Sequence, residues 1–167
     1  MSAEPAARAM STRSIRIRAA APAESRFLSD LAMRSKAHWG YSRDFLEACR
    51  GSLTVTEAFV RECAVFVLEH ERRIAGFYGL LKQGQDVALE FMFVEPDVIG
   101  KGIGRQLWQH AIGSAHRLRA RYLLVDADPN AEQFYVEMGA ERIGDVQSGV
   151  DPNRRLPLLR YPISEID

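Results

Sequence analysis

The sequence is short of cysteine, with only Cys49 and Cys63 in 167 residues. Two thiols cannot build a disulfide framework, and no Cys or His pair stands at metal-ligand spacing, so a stapled secreted scaffold and a zinc module are both excluded. A reduced, cytoplasmic setting without a metal fits best. Long apolar runs are also missing: nowhere do about eighteen apolar residues follow one another, as a membrane-spanning helix would need. Nor is there a surplus of one charge, because Lys plus Arg and Asp plus Glu number 22 each. No overall field would hold the chain on nucleic acid or on an anionic membrane, so any recognition of an anion must be local.

What is present suits one substantial core, since 47% of the residues are hydrophobic. The expected organisation is a mobile tail over residues 1–13 and a single domain over residues 14–167. Residues 14–18 (SIRIR) alternate apolar and charged side chains, the pattern of a half-buried edge strand. Pro22 can open a helix in which Phe27, Leu28, Leu31 and Ala32 recur at helical spacing up to about Lys36. Two short helices follow, over residues 44–50 closed by Gly51 and over residues 56–62 capped by Thr56. Apolar runs at 64–69 and 73–82 flank the charged turn His70, Glu71, Arg72 and predict a hairpin, which a third run at 87–94 extends into a meander. After the glycine segment an amphipathic helix carries Leu107, Ala111, Ile112, Ala115 and Leu118 on one stripe. Residues 122–126 (YLLVD) then form a strand parallel to the last of the meander, a helix runs from Pro129 to Met138, and strands at 140–147 and 156–163 close the sheet.

The glycine segment carries the most chemistry. Gly100, Gly102 and Gly104 stand between a strand end and a helix start, where backbone conformations closed to other residues let successive N–H groups converge on an anion. Spacing alone also permits a tight turn that binds nothing. No Lys-Ser or Lys-Thr pair follows these glycines, so they are not a nucleotide-hydrolysing phosphate loop. A dinucleotide fingerprint fits poorly too, because the spacing is alternate and an antiparallel meander precedes it.

The stretch FVEPDVIGKGIGRQLW followed by LLVDADPNAEQFYVEMGAERIG resembles the acetyl-coenzyme A-binding half of the GNAT acetyltransferases over about residues 87–163. The resemblance implies an α/β fold whose mixed, mostly antiparallel central sheet is flanked by helices and split by a cofactor wedge. It implies acetyl-coenzyme A as cosubstrate, an amine as acceptor, and direct acetyl transfer with no metal. The family pattern has Arg or Gln where this chain has Ile99, so backbone amides over Gly100, Lys101, Gly102, Ile103, Gly104 and Arg105 carry diphosphate binding, with Lys101 or Arg105 adding charge. Backbone groups of Phe93 and Val94 match the strand end that contacts the pantetheine arm. Asn130 matches the residue that contacts the cofactor arm, although it also suits a helix N-cap. Tyr135 matches the residue whose hydroxyl protonates the departing thiolate, and the alternative is a packed helix aromatic. Glu90, a carboxylate amid VALEFMFV, matches the position of the family's general base, acting directly or through water; a salt-bridged or rim-exposed glutamate is the other reading.

On the acceptor side His38, Trp39 and Tyr41 fall between the first two helices, where GNAT proteins shape the acceptor pocket, and Arg154 falls in the last hairpin loop. The acceptor is expected to be a small molecule or a peptide bearing an amine, not nucleic acid or membrane, and a homodimer is compatible with this reading. Two rivals remain open on the same fold: a non-catalytic acyl-coenzyme A-binding or regulatory module, and an acyltransferase that uses a longer acyl chain.

Overall fold

The computed structural model describes residues 15–164; the tail expected over residues 1–13 and Ser14 of the expected edge strand lie outside them. Among the described residues seven strands form one sheet: β1 (Ile15–Ala19), β2 (Ala64–His70), β3 (Arg73–Gln83), β4 (Asp86–Val94), β5 (Tyr122–Asp126), β6 (Glu141–Gln147) and β7 (Arg155–Pro162). Their order is β1-β2-β3-β4-β5-β7-β6. Neighbours pair antiparallel except β4 and β5, which run parallel. The sheet is therefore mixed and mostly antiparallel, with the alternating strand SIRIR at one edge. Between β2 and β3 the loop residues Glu71 and Arg72 both have positive φ, 52° and 65°, the signature of the hairpin turn whose twist matches the strands.

Helices cover both faces. On one side lie α1 (Ser25–Ala37), α2 (Arg43–Cys49) and α3 (Glu57–Glu62). Leu28, Leu31 and Ala32 of α1 pack there against Val65, Val67, Phe77 and Phe91. On the other side lie α4 (Ile103–Arg117) and α5 (Glu132–Glu137). Leu107, Trp108, Ala111 and Ala115 of α4 meet Leu68, Ala75, Tyr78, Leu80 and Leu123. Adjacent residues such as Phe77 and Tyr78 point to opposite faces, so a doubly covered strand must be apolar throughout. Residues 75–80 of β3 are accordingly all buried. Each large side chain buried in these two cores contributes roughly 1.5–3 kcal/mol.

The ends of the elements follow from local chemistry. Ser42 and Thr56 accept hydrogen bonds from the N–H groups of Phe45 and Phe59, which starts α2 and α3. The helix expected from Pro129 begins as a single 3₁₀ turn, Pro129–Ala131, before α5, and Gly139 with φ +101° stops it. Gly76 has a packing reason to be glycine: a Cβ there would sit 2.9 Å from Leu107 Cδ1 and 3.0 Å from the Phe93 carbonyl oxygen, so its absence lets α4 lie close on β3. No helix among the described residues is long and apolar enough to cross a membrane.

Two irregularities of β4 prepare a site. The register passes from Gly79 opposite Phe91 to Leu80 opposite Leu89, which leaves Glu90 as the extra residue of a β-bulge. On its other edge β4 pairs with β5 only at Val87 opposite Leu123 and Ala88 opposite Leu124. Beyond that point the parallel strands separate.

Candidate active site

The gap between β4 and β5 opens into a cleft of about 720 Å³ that runs from the glycine segment to the β6–β7 loop. Its β4 wall offers main-chain groups. The N–H of Glu95 bonds to the Ala75 carbonyl at 2.8 Å, so by strand alternation Phe93 also directs its backbone at β3, while Met92 and Val94 direct theirs at the gap. This corrects the expectation for Phe93: Val94 and Met92 present backbone groups there, and Phe93 lines the cleft with its side chain.

At the glycine end, Gly100 and Gly102 have φ of +83° and +84°, and a Cβ added to either would meet nothing within 4 Å. Glycine is required there by backbone conformation, and the space outside is open to a ligand. Gly102 is the N-cap of α4 and no side chain caps the helix. The first backbone bond of the helix joins Gln106 N–H to the Gly102 carbonyl at 3.2 Å, so the N–H groups of Ile103, Gly104 and Arg105 are left for an external acceptor. These amides, at the positive end of a fifteen-residue helix, suit a diphosphate. Gly100, Gly102, Gly104 and Arg105 line the cleft, as does Ile99 at the position where a polar side chain is usual. Lys101 is exposed outside the lining, and the side chain of Ile103 is buried in the core, so that residue has only its amide to give.

Acids and a phenol stand along the gap. The bulge turns Glu90 into the cleft, whose walls desolvate the carboxyl enough to raise its pKa, with the charge of Asp126 adding to the effect. Asp126, at the end of β5, is itself raised by burial. Tyr135 is buried in α5 between Trp108 and Phe134, at ring distances of 5.5 and 5.1 Å. Burial, helped by the charge of Asp128, drives its pKa well above the ordinary phenol value. Its hydroxyl makes no hydrogen bond to another described residue, and the side chain lines the cleft. Cys49, far from the glycine segment in sequence, reaches the same cleft, where burial pushes its thiol up and away from the nucleophilic thiolate.

The opposite wall is a network centred on Asp128. Its carboxylate accepts from Lys36 Nζ at 2.6 Å, from the Tyr41 hydroxyl at 2.8 and 2.9 Å, and from the Asn130 N–H at 2.8 Å. Burial pushes the acid's pKa up, but the hydrogen bond from Lys36 and those from Asn130 and Tyr41 outweigh it and hold the group below the usual carboxylate range. The Tyr41 oxygen in turn accepts from Asn130 Nδ2 at 2.9 Å and from Arg154 Nη2 at 2.6 Å. Arg154 also stacks over the rings of Tyr41 and Phe45, at 5.1 and 4.8 Å from their centroids.

The expected acceptor residues therefore separate. Trp39 and Arg154 line the cleft; Tyr41 acts behind the wall through Asp128; His38 is exposed and only meets Trp39 edge-on at 5.3 Å. Asn130 reaches the cleft from the 3₁₀ turn before α5 and spends its amide on Tyr41 and Asp128. Lys36, Asp126 and Asp128 were missed. The sequence held one signal for the two acids: in VDADPN they alternate at a strand end, which puts both on one side of the chain.

Comparison with known proteins gives the family and the fold. A family model described as an acetyltransferase (GNAT) domain matches residues 42–149. A 5-NmdU N-acetyltransferase from Pseudomonas phage PaMx11 is 27% identical over 135 residues, 80% of this chain and 91% of the phage protein. Among solved structures, a GCN5-related N-acetyltransferase from Rhodopseudomonas palustris superposes with a TM-score of 0.76 at 18% identity, covering 89% of this chain and 96% of that one. The PaiA N-acetyltransferase from Thermoplasma acidophilum, in complex with coenzyme A, gives a TM-score of 0.73 at 16% identity over 89% of this chain and 99% of its own.

Proposed function

We propose that this chain, which belongs to the GNAT acetyltransferase family, transfers an acetyl group from acetyl-coenzyme A to an amine by direct attack. One observation carries the reading: a single cleft joins a helix start with uncommitted amides, an unpaired strand edge, a bulge carboxylate and a buried phenol. The coenzyme A-bound relative from Thermoplasma acidophilum supports the same cosubstrate.

The amides over residues 102–105 hold the diphosphate, and the edge of Met92 and Val94 pairs with the arm where β5 has drawn away. Acetyl-coenzyme A supplies an activated thioester. Glu90 takes the proton from the acceptor's ammonium, directly or through water, a task helped by a pKa raised above the ordinary carboxylate value. An N–H of Met92 or Val94 stabilises negative charge developing on the carbonyl oxygen. Tyr135 keeps its proton throughout the working range and gives it to the leaving sulfur as the C–S bond breaks, and the second proton shed by the attacking nitrogen restores the phenol. Cys49, held as a thiol, has no covalent step to perform.

Thiol release from acetyl-coenzyme A and from longer acyl donors, measured over a panel of amines that includes the phage relative's 5-NmdU, tests the activity and the donor together. Tyr135→Phe keeps the ring and removes the donor, so kcat should fall on the order of 10²-fold while acetyl-coenzyme A binding stays nearly normal. A kcat within about threefold of the parent, with chemistry rate-limiting, would make Tyr135 a packing residue.

A further inference from the structure

The acceptor end of the cleft has unbalanced charge. Lys36 and Arg154 are only 12% and 19% exposed, and both face Asp128, itself 15% exposed, at 2.6 and 3.6 Å. Asp128 is the only carboxylate bridged to either of them among the described residues. Two cations against one anion leave one positive charge in a place largely withdrawn from water, where an unmatched charge is costly. Donors remain for a ligand: the described hydrogen bonds take one of the three N–H groups of Lys36 and one of the five of Arg154.

The neighbouring stretch of the same cleft has the opposite sign. Glu90 and Asp126 line it, and neither has an ion-pair partner among the described residues. Asp126 and Asp128 are two residues apart, so their α-carbons lie no more than about 7 Å from each other. The cleft is therefore bipolar over the length of a small molecule. A cation fits at Glu90 and Asp126, and an anion fits at Arg154 and Lys36.

We propose that the acceptor is a small primary amine that also carries an anionic group, with its ammonium set against Glu90 and Asp126 and its anion held by Arg154 with Lys36. This rests on the acetyltransferase reading above and adds the substrate class. The guanidinium fork takes a carboxylate or a phosphate in the same geometry, so the shared requirement is the anion. A cationic second group, as in a diamine, would meet Lys36 and Arg154 with like charge and is disfavoured.

The test compares butylamine, 4-aminobutanoate, 3-aminopropyl phosphate and 1,4-diaminobutane as acceptors of the acetyl group on the full chain. At least one anionic amine should exceed butylamine in kcat/KM by about tenfold or more, the least expected of a charge-assisted hydrogen bond, and the diamine should rank last. The better of the two anionic arms identifies the anion. Arg154→Gln should raise the KM of the anionic acceptor about tenfold and erode its advantage over butylamine by the same factor, while acetyl-coenzyme A affinity in calorimetry stays within about twofold and reports that the variant folds. The proposal is overturned if butylamine or the diamine matches the anionic amines, if Arg154→Gln affects all acceptors alike, or if no anionic amine is acetylated by a chain that binds acetyl-coenzyme A. A chain that does not bind acetyl-coenzyme A would instead overturn the acetyltransferase reading.

Discussion

The two ends of the cleft are built from different materials. The end proposed for the cofactor is main chain: an unpaired edge at Met92 and Val94 and amides over residues 102–105, all within one contiguous stretch. The acceptor end is side chain: Lys36 from α1, Tyr41 from the loop after it, Asp128 from the turn after β5 and Arg154 from the last hairpin. A main-chain site tolerates almost any side chain that leaves the backbone its shape, which explains how Ile99 can occupy a position where a polar residue is usual. A side-chain site can be altered one residue at a time, and acceptor choice is the property free to vary.

The comparison predicts where each end breaks. The largest effect is expected of Gly102→Val, because a β-branched residue at φ +84° is strained and its bulk would project into the space a diphosphate needs. Acetyl-coenzyme A affinity should drop by at least about 10²-fold in calorimetry, with the β-sheet circular dichroism retained. Survival of binding would place the diphosphate elsewhere.

The acceptor end should break through Asp128→Asn, which removes the one carboxylate facing two largely buried cations. The cost is about 3 kcal/mol, the lower end for breaking a buried pair, and a lowering of Tm by roughly 10 °C follows for a chain of this size. Because the folded-state pKa of Asp128 is lowered, its stabilisation is complete above the unfolded value near about 4 and disappears as pH falls through the folded one. The difference in Tm between parent and variant should therefore narrow only in acid. A difference that is constant with pH would mean the carboxylate contributes by shape, not charge.

The smallest effect is expected at Glu90, which the bulge of β4 turns into the cleft between the two proposed ends. Glu90→Gln should lower kcat/KM about tenfold at neutral pH and remove an acid limb lying above the usual carboxylate range, since the raised pKa means activity fails as pH falls through that value. An unchanged profile would assign the proton to water or to Asp126.

Legibility in the sequence follows the same division. Alternation at residues 14–18, the apolar run of β3 and the switch to helical spacing after Gly104 were readable because each is a local period. The glycines were readable because a strand-to-helix turn demands their backbone conformations, whereas Asn130 and Tyr135 stood out only through the resemblance of their stretch to the family. The Asp128 network was not, for Lys36 and Asp128 are 92 positions apart and only the closed sheet brings them to 2.6 Å. That Glu90 is the extra residue of the bulged strand was hidden for a related reason: one extra residue shows only against the partner strand. Phe93 was misplaced by the same parity, which the hydrogen bond from Glu95 to Ala75 settles.

The short parallel pairing of β4 with β5 has a mechanical meaning. An open sheet is ordinarily weakest at its margins, where strands lack a neighbour on one side. Here the margins are β1 and β6, each zipped along its length, while the middle is held by two residue pairs, Val87 with Leu123 and Ala88 with Leu124. The sheet is in effect two panels joined at one corner, and α4, which packs on β3, β4 and β5, spans the seam together with the ion pair of Lys36 and Asp128. A ligand bridging the open part of that seam would act as a rivet, and the clearance between the panels becomes a gauge of what it has gripped.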